Sequence, residues 1–334
     1  MSYLITGWLG YIWSHCIAWL YEKWFDCVII DNLSNSDAQV LTKLETLTKT
    51  KIPFYQWDIK DQSLLDQIFT THNIDAVFHF AALKSVEESC KKPFLSYDNN
   101  INGTITLLQA MVKHQVTKLI FSSSATVYDT KKAQPPYQET DPTGNCSNPY
   151  GTTKILMEQI IRDICLHQGM SALCLRYFNP IGVHPSWLIG EDPKGVPSNL
   201  FPYVFKVATG ELPFVTIFWD QRPTRDGTGE RDYIDIQDLI NGHRKALEYL
   251  EKQNSWFYDS FNLGSNQGTT VLEAVKLIET TINKKIVYKI WPIRQGDIAI
   301  SIADASKATT MLWRNPQHTL TQAIQNTRNF LQKN

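Results

Sequence analysis

Short runs of β-branched and aliphatic residues recur through the first half of the chain, and most are followed by a stretch whose apolar residues return every three to four positions. Tyr3–Ile5, Cys27–Ile30, Ile52–Gln56, Ala76–Phe80, Lys118–Ser122 and Ala172–Arg176 read as strands. Ile12–Lys23, Gln62–Thr71, Thr104–His114 and Tyr150–His167 read as helices. Strands alternating with helices predict an α/β fold, a doubly wound parallel sheet of the Rossmann-like kind, because parallel neighbours need a crossover and a helix is the usual one. After Arg176 the pattern gives way to "YFNPIGVHPSWLIGEDPKGVPSNLFPYV", dense in Pro, Gly and Asn, which suits loops that face a ligand. Helices resume at Ile236–Leu250 and Val271–Thr281. The expected division is a nucleotide-binding domain over 1–178 and a smaller C-terminal substrate-binding domain over 179–334, from which a strand can return to the sheet.

Charge narrows the function. Lys+Arg 32 against Asp+Glu 33, with no basic block, argues against a nucleic-acid or membrane-surface role. No apolar stretch approaches the ~18 to 20 residues that span a bilayer, and the first apolar run lacks the flanks of a signal peptide. Cys16, Cys27, Cys90, Cys146, Cys165 and Cys174 show no CxxC spacing and read as reduced thiols, so a cytoplasmic protein is expected. The eight histidines suggest no metal site, and His79 in "VFHFAA" reads as a strand-end hydrogen-bonding residue.

The opening "SYLITGWLGYIWSH" places Gly7 and Gly10 between a strand and a helix, where backbone N–H groups and the positive helix end suit a pyrophosphate. Two glycines alone make only a tight turn. Here Asp31 ends the second strand 21 residues after Gly10, where a carboxylate meets ribose hydroxyls and repels a 2′-phosphate, so NAD is favoured over NADP.

Two further segments point to hydride chemistry. In "NPYGTTKILMEQ", Tyr150 and Lys154 are i,i+4 neighbours, and an ammonium beside a phenol favours the phenolate a base needs. Ser124, in "KLIFSSSATVYDT", falls at a strand's carboxyl end, where doubly wound folds bind ligands. Ser124, Tyr150 and Lys154 form the candidate catalytic set.

With "DNLSNS", "HFAALKSVEES", "YDNNINGT", "FSSSATVY", "PYGTTK", "LRYFNPIG", "GEDPKGVPSNL", "PTRDGTGERDYI" and "GDIAISIADASKA", the chain resembles the UDP-glucose 4-epimerase family, of the extended short-chain dehydrogenase/reductases, over essentially its whole length. The resemblance implies a homodimeric isomerase that holds NAD tightly and oxidises a UDP-hexose at C4 to a 4-ketone. The ketone turns over in the site and is reduced on its other face. By position, the resemblance implies NAD contacts from Gly7, Gly10, Tyr11, Ile12, Asp31, Asn32, Asn35, Ser36, Asp58, Ile59, Phe80, Ala81, Ala82, Lys84, Asn99, Tyr150, Lys154 and Phe178. It implies substrate contacts from Ser124, Asn179, Asn199, Leu200, Ile217, Phe218, Arg231, Tyr233, Arg294, Asp297 and Ser301. Arg231 and Arg294 suit the diphosphate. Ser301 stands where a tyrosine would exclude an N-acetyl group. A nucleotide-sugar dehydratase or decarboxylase of the same fold is the nearest alternative, but a 4,6-dehydratase typically carries an Asp-Glu pair where this chain has Ser124-Ala125-Thr126.

The chain departs from the family at one residue type. Trp8, Trp13, Trp24, Trp57, Trp187 and Trp219 stand where the family has glycine, in contexts such as "GYIWSH", "EKWFD" and "YQWDI". One type replacing one other is what a differently read codon produces: UGA written as Trp where the source reads glycine. Trp19, Trp256, Trp291 and Trp313 fall under the same reading. The 16 glycines are few, but with the 10 tryptophans they reach about 8% of the chain, close to the usual ~7% of glycine. The competing expectation is a decayed, non-catalytic NAD- or UDP-sugar-binding homologue. Taken literally, Trp13 is expected to push the first helix off the sheet, and with Trp8 to block the cofactor.

Overall fold

The computed structural model describes the chain apart from residues 8–9, 35–37, 194, 219–221, 254, 293–297, 313–314 and 334. Its main sheet contains β1 (Ser2–Thr6), β2 (Asp26–Asp31), β3 (Phe54–Gln56), β4 (Ile74–His79), β5 (Lys118–Ser124), β6 (Ser171–Tyr177) and, from the C-terminal half, a strand over Phe257–Leu263. Between β6 and that strand lie β7 (Asn179–Ile181), β8 (Val215–Phe218) and β9 (Glu230–Asp235), which makes Phe257–Leu263 β10. The order across the sheet is β10-β6-β5-β4-β1-β2-β3, every pair parallel. The order reverses between β1 and β4, and a crevice at the carboxyl ends of a doubly wound sheet forms at such a switch.

Helices cover both faces. They are α1 (Tyr11–Glu22), α2 (Gln39–Thr48), α3 (Gln62–Thr71), α4 (Val86–Lys91), α5 (Pro93–Tyr97), α6 (Gly103–Lys113), α7 (Pro149–Gln168), α8 (Leu200–Thr209), α9 (Ile236–Leu250), α10 (Val271–Ile282), α11 (Ser306–Met311) and α12 (Leu320–Lys333). Along β1, Tyr3 and Ile5 enter one core layer with α1 and α9, while Leu4 enters the other with α3, α6 and α7. A strand apolar on both faces is what a parallel sheet buried between helices requires. The rest of the C-terminal half forms a small sheet around β9, with β7, β11 (Gly268–Thr270) and β13 (Ile300–Ser301), and a two-stranded pair of β8 with β12 (Tyr288–Trp291). These pack over α8, α10 and α12.

Most boundaries shift by one or two residues from the sequence reading, and two of the shifts are informative. β3 starts at Phe54 rather than Ile52, because Pro53 has no N–H for the ladder and contributes only its carbonyl, to Ile29. β5 runs on to Ser124, held in register with Tyr177 of β6. No helix among the described residues is long and apolar enough to cross a membrane.

Candidate active site

Gly7 follows β1 at φ +110°, a conformation that L side chains rarely adopt. A Cβ there would lie 2.4 Å from Ala81 N and 2.7 Å from the Phe80 carbonyl carbon, so only glycine lets the end of β1 close on the end of β4. Gly10 precedes α1 in extended backbone, with no side-chain cap and no acid in the first turn. The first N–H groups of α1 therefore keep their capacity for an anion. Asp31 closes β2 almost fully buried, its Oδ1 accepting the Leu33 N–H at 2.6 Å, and Asn32 accepts from Ser34 at 3.1 Å. A cradle that a Cβ would fill, an uncapped helix start and a strand-end carboxylate fit a dinucleotide. Tyr11 sends its hydroxyl to Gly182 O (2.7 Å), so it and Ile12 offer the cradle their backbone at the helix start. Asn35 and Ser36 lie outside the described residues.

The loop after β4 is pinned from two sides. Phe80 N–H donates to Thr6 O at 2.8 Å, with Ala81 and Ala82 buried behind it and Lys84 exposed. Asn100, fully buried in a π-helical turn over Asp98–Asn102, accepts from Leu83 N (2.7 Å) and donates to Leu83 O (3.2 Å) and Thr153 Oγ1 (3.0 Å). It thus joins the loop carrying the cofactor candidates to the helix carrying Tyr150. The sequence reading passed from Asn99 over Asn100, although the paired asparagines in "YDNNINGT" mark the turn. Asn99 donates to Asn100 Oδ1 at 3.1 Å. Asp58 accepts the Lys60 N–H at 2.9 Å, and Ile59 packs on Gly103 at the start of α6. His79 shares hydrogen bonds with Thr6 Oγ1 (2.6 Å) and Thr104 Oγ1 (2.9 Å), and burial pushes its pKa down to about 3. It is a neutral tie between β1, β4 and α6.

Ser124, Tyr150 and Lys154 converge at the carboxyl end of β5. Asn148 caps α7 through the Gly151 N–H (2.9 Å) and Pro149 opens it, so Tyr150 lies in the first turn, its N–H donating to Ser89 Oγ (3.2 Å). Ser124 Oγ accepts from Thr126 N (3.2 Å) and Thr126 Oγ1 (3.0 Å). Lys154, nearly inaccessible, donates to Ser122 O at 2.5 Å, with Nζ 4.8 Å from the Phe121 ring centre and 5.8 Å from that of Tyr150. Burial pushes the Tyr150 phenol up to about 12, held back by a hydrogen bond with Ser124. Burial pushes Lys154 down to about 7. Against the expectation that the ammonium lowers the phenol towards neutrality, burial is the largest influence on both groups. Above pH ~7 this balance leaves the Tyr150 phenol protonated and the Lys154 amine neutral.

On the facing side, Asn179 of β7 lies opposite Tyr233 of β9 and donates to Asp232 O (3.0 Å). Arg231 donates to Glu230 O (2.9 Å), Ala299 O (3.2 Å) and Ile298 O (2.9 Å). Ser301, 7% exposed, pairs with Arg231 across β13 and β9. Asn199 precedes α8, which Leu200 opens, and donates to Glu191 Oε1 at 2.6 Å. Glu191 was missed in the sequence; burial raises its pKa, opposed first by the Lys84 charge and then by Asn199, so it stands between a cofactor candidate and a substrate candidate. Phe178 is buried, its N–H reaching Leu263 O at 3.4 Å. Ile217 is set apart: its side chain is 1% exposed in the core of the small sheets, leaving only backbone for a ligand, while Phe218 turns outward. Arg294 and Asp297 lie outside the described residues.

The tryptophans form a pattern of their own. Trp24 (φ 62°) and Trp187 (φ 58°) adopt left-handed backbone, and Trp24 is 94% exposed. Trp13 is taken into the core beneath α1 rather than levering the helix away, but its Nε1 and that of Trp19 are buried without a hydrogen-bond partner among the described residues. Trp8, Trp219 and Trp313 lie outside the described residues.

Residues 4–327 match the family model described as GDP-mannose 4,6 dehydratase. A curated relative, the UDP-glucose 4-epimerase of Erwinia amylovora, is 46% identical over 94% of this chain and 93% of its own length. The crystal structure of UDP-glucose-4-epimerase from Stenotrophomonas maltophila with bound NAD and formylated UDP-arabinopyranose superposes with a TM-score of 0.95 at 44% identity, covering 100% of this chain and 98% of that one. That of the Bifidobacterium longum enzyme, with NAD+ and UDP, gives 0.94 at 43%, covering 100% and 99%.

Proposed function

Since this chain belongs to the UDP-glucose 4-epimerase family, we propose that it interconverts UDP-glucose and UDP-galactose with NAD held in the site. The observation that carries this reading is the meeting of Ser124, Tyr150 and Lys154 at the carboxyl end of the sheet beside the Gly7 cradle. NAD, when held by the Gly7 cradle and Asp31, would supply the hydride acceptor, and then the hydride donor, at C4. The chain supplies the proton chemistry. Shifting the pair's proton from phenol to amine leaves a phenolate at Tyr150, which takes the proton of the C4 hydroxyl as the 4-ketone forms. Ser124 holds that oxygen by hydrogen bonding, and Tyr150 gives the proton back after the sugar has turned over. Arg231 is the side chain we assign to the diphosphate. The absence of an Asp-Glu pair after Ser124 favours epimerisation over dehydration, although the matching family model is described as a dehydratase.

The test is conversion of UDP-galactose to UDP-glucose without added oxidant, followed against pH. Below about 7 Lys154 takes up a second proton for the pair, which can then no longer accept the sugar's. kcat/KM should therefore fall as pH drops through about 7 and stay level above it. An activity indifferent to pH between 5 and 8 (roughly the range in which an unperturbed phenol and amine would not titrate) would reject the assignment.

Ser301 extends the reading to the N-acetylated pair, UDP-N-acetylglucosamine and UDP-N-acetylgalactosamine. It is enclosed rather than facing solvent, and it lies in register with Arg231 across the sheet. Ser301→Tyr should suppress turnover of the N-acetylated sugars far more than that of the plain ones. Equal loss with both substrates would remove Ser301 from specificity.

The tryptophans decide whether the written chain is the working one. We read them as glycines of the natural protein. Left-handed backbone at Trp24 and Trp187 is the conformation glycine adopts without strain, and the buried, unpartnered indole N–H groups of Trp13 and Trp19 are groups a glycine does not have. A homodimer and a cytoplasmic setting complete the reading: an apolar groove of about 390 Å³ between α6 and α7, lined by Ile105, Leu108, Val112, Ile160 and Ile164, offers a second copy a face, and all six cysteines are free thiols.

A further inference from the structure

Tyr150, Lys154 and Glu158 follow one another at successive turns of α7. Glu158, 6% exposed, is bound on all sides: Oε1 accepts from Ser123 Oγ (2.5 Å) and Arg176 Nε (3.0 Å), and Oε2 from Arg176 Nη2 (2.7 Å). Ser123 directly precedes Ser124 and lies in register with Arg176. Arg176 reaches on to Tyr128 Oη (3.2 Å), which donates to Asn262 Oδ1 of β10 (2.6 Å). The carboxylate is thus the point where the helix carrying Tyr150 and Lys154 is bolted to the two strands that present Ser124.

We propose that Glu158 is a positioning residue of the reaction: by clamping α7 to β5 and β6 it fixes the reach between Ser124 and Tyr150, and it sets the proton balance of the neighbouring amine. The inference rests on the function proposed above. A fork-to-fork pair with Arg176 permits little rotation of α7, and a helix free to turn would change the Ser124 to Tyr150 separation at once. The charged and titratable groups around Lys154 are Tyr150 and Glu158 on α7, Cys174 on β6 and His79 on β4; around Glu158 they are Arg176 and Cys174 on β6 and Tyr258 on β10. Of those at Lys154, Cys174 and then Glu158 support the ammonium against burial.

The experiment is Glu158→Gln, which keeps acceptor and shape but removes the charge, with the double variant Glu158→Gln, Arg176→Gln made in parallel so that a buried unpaired arginine cannot unfold the protein. The titration midpoint of Lys154 is read by NMR on 13C-lysine-labelled protein without cofactor, its signal assigned with Lys154→Met, and folding by circular dichroism. In Glu158→Gln the midpoint should fall by roughly one pH unit, and in the double variant, which removes one charge of each sign, it should fall by less. In the NAD-bound, active form of the protein, kcat should drop about tenfold or more with KM changed less than about twofold. A midpoint unmoved in the folded variant, or a turnover loss no greater than the loss of folded protein, overturns the proposal. Failure of the parent itself to convert UDP-galactose would instead strike the proposed function and leave the NMR result to stand by itself.

Discussion

Replacing Tyr150 by phenylalanine should lower turnover of UDP-galactose by about 10² to 10⁴-fold while leaving the fold and UDP affinity close to those of the parent. The ring stays, with its packing beside Lys154; what goes is the single oxygen that hydrogen-bonds Ser124 and that we assign to take the sugar's proton. Lys154 cannot substitute, because its amine is turned to Ser122 O beneath the site. Steady-state rates with UDP calorimetry and circular dichroism on the same preparation separate the outcomes. Activity within a factor of a few of the parent would show that another group is the base.

The second large effect is expected in cofactor content. The written chain should purify without NAD, and the paired change Trp8→Gly, Trp13→Gly should restore at least part of the binding, read by absorbance and mass of the released nucleotide. Stability supplies a sign that cofactor content does not. Deleting a buried aromatic ring from a core built for it costs ~3 to 5 kcal/mol, and glycine inside a helix costs ~1 kcal/mol more. At Trp13, in a core built for glycine, the loss should be far smaller or reversed. Trp24→Gly and Trp187→Gly should each gain about 1 kcal/mol or more by relieving left-handed backbone. Peptides of the natural protein should show glycine at these positions. Retained tryptophan there, or stoichiometric NAD in the written protein, would end this reading.

Much of the fold was legible because a parallel sheet writes itself as apolar runs set between amphipathic stretches. Gln62–Thr71 and Ile236–Leu250 coincide with their helices. The segment Gln39–Thr48 passed unnoticed since it buries only Leu44 and begins without a capping side chain. In the site, the spacing of Tyr150 and Lys154 was legible, but their proton affinities were not, because desolvation is set by Phe121, Ser122 and other residues distant in sequence. Ile217 shows a signal that was present and unused: in β8 the burial alternates, so Ile217 and Phe218 cannot send both side chains to one ligand. The carbonyl partners of Arg231, at 298 and 299, lie just before β13, whose pairing with β9 no local pattern announces.

The place of β10 governs when the site can mature. Its Asn262 completes the chain of hydrogen bonds from Tyr128 through Arg176 to Glu158, yet it lies far beyond Tyr177 in the order of synthesis. A ribosome that has delivered Tyr177 has therefore made all of the proposed catalytic set, Ser124, Tyr150 and Lys154, while β6 is still an open edge of parallel sheet, the kind that invites a foreign strand. Until β10 emerges, the nascent chain is both catalytically unfinished and exposed to aggregation. Pausing during translation of the intervening segment should favour loss of product, and termination before residue 257 should leave a fragment in need of chaperone cover.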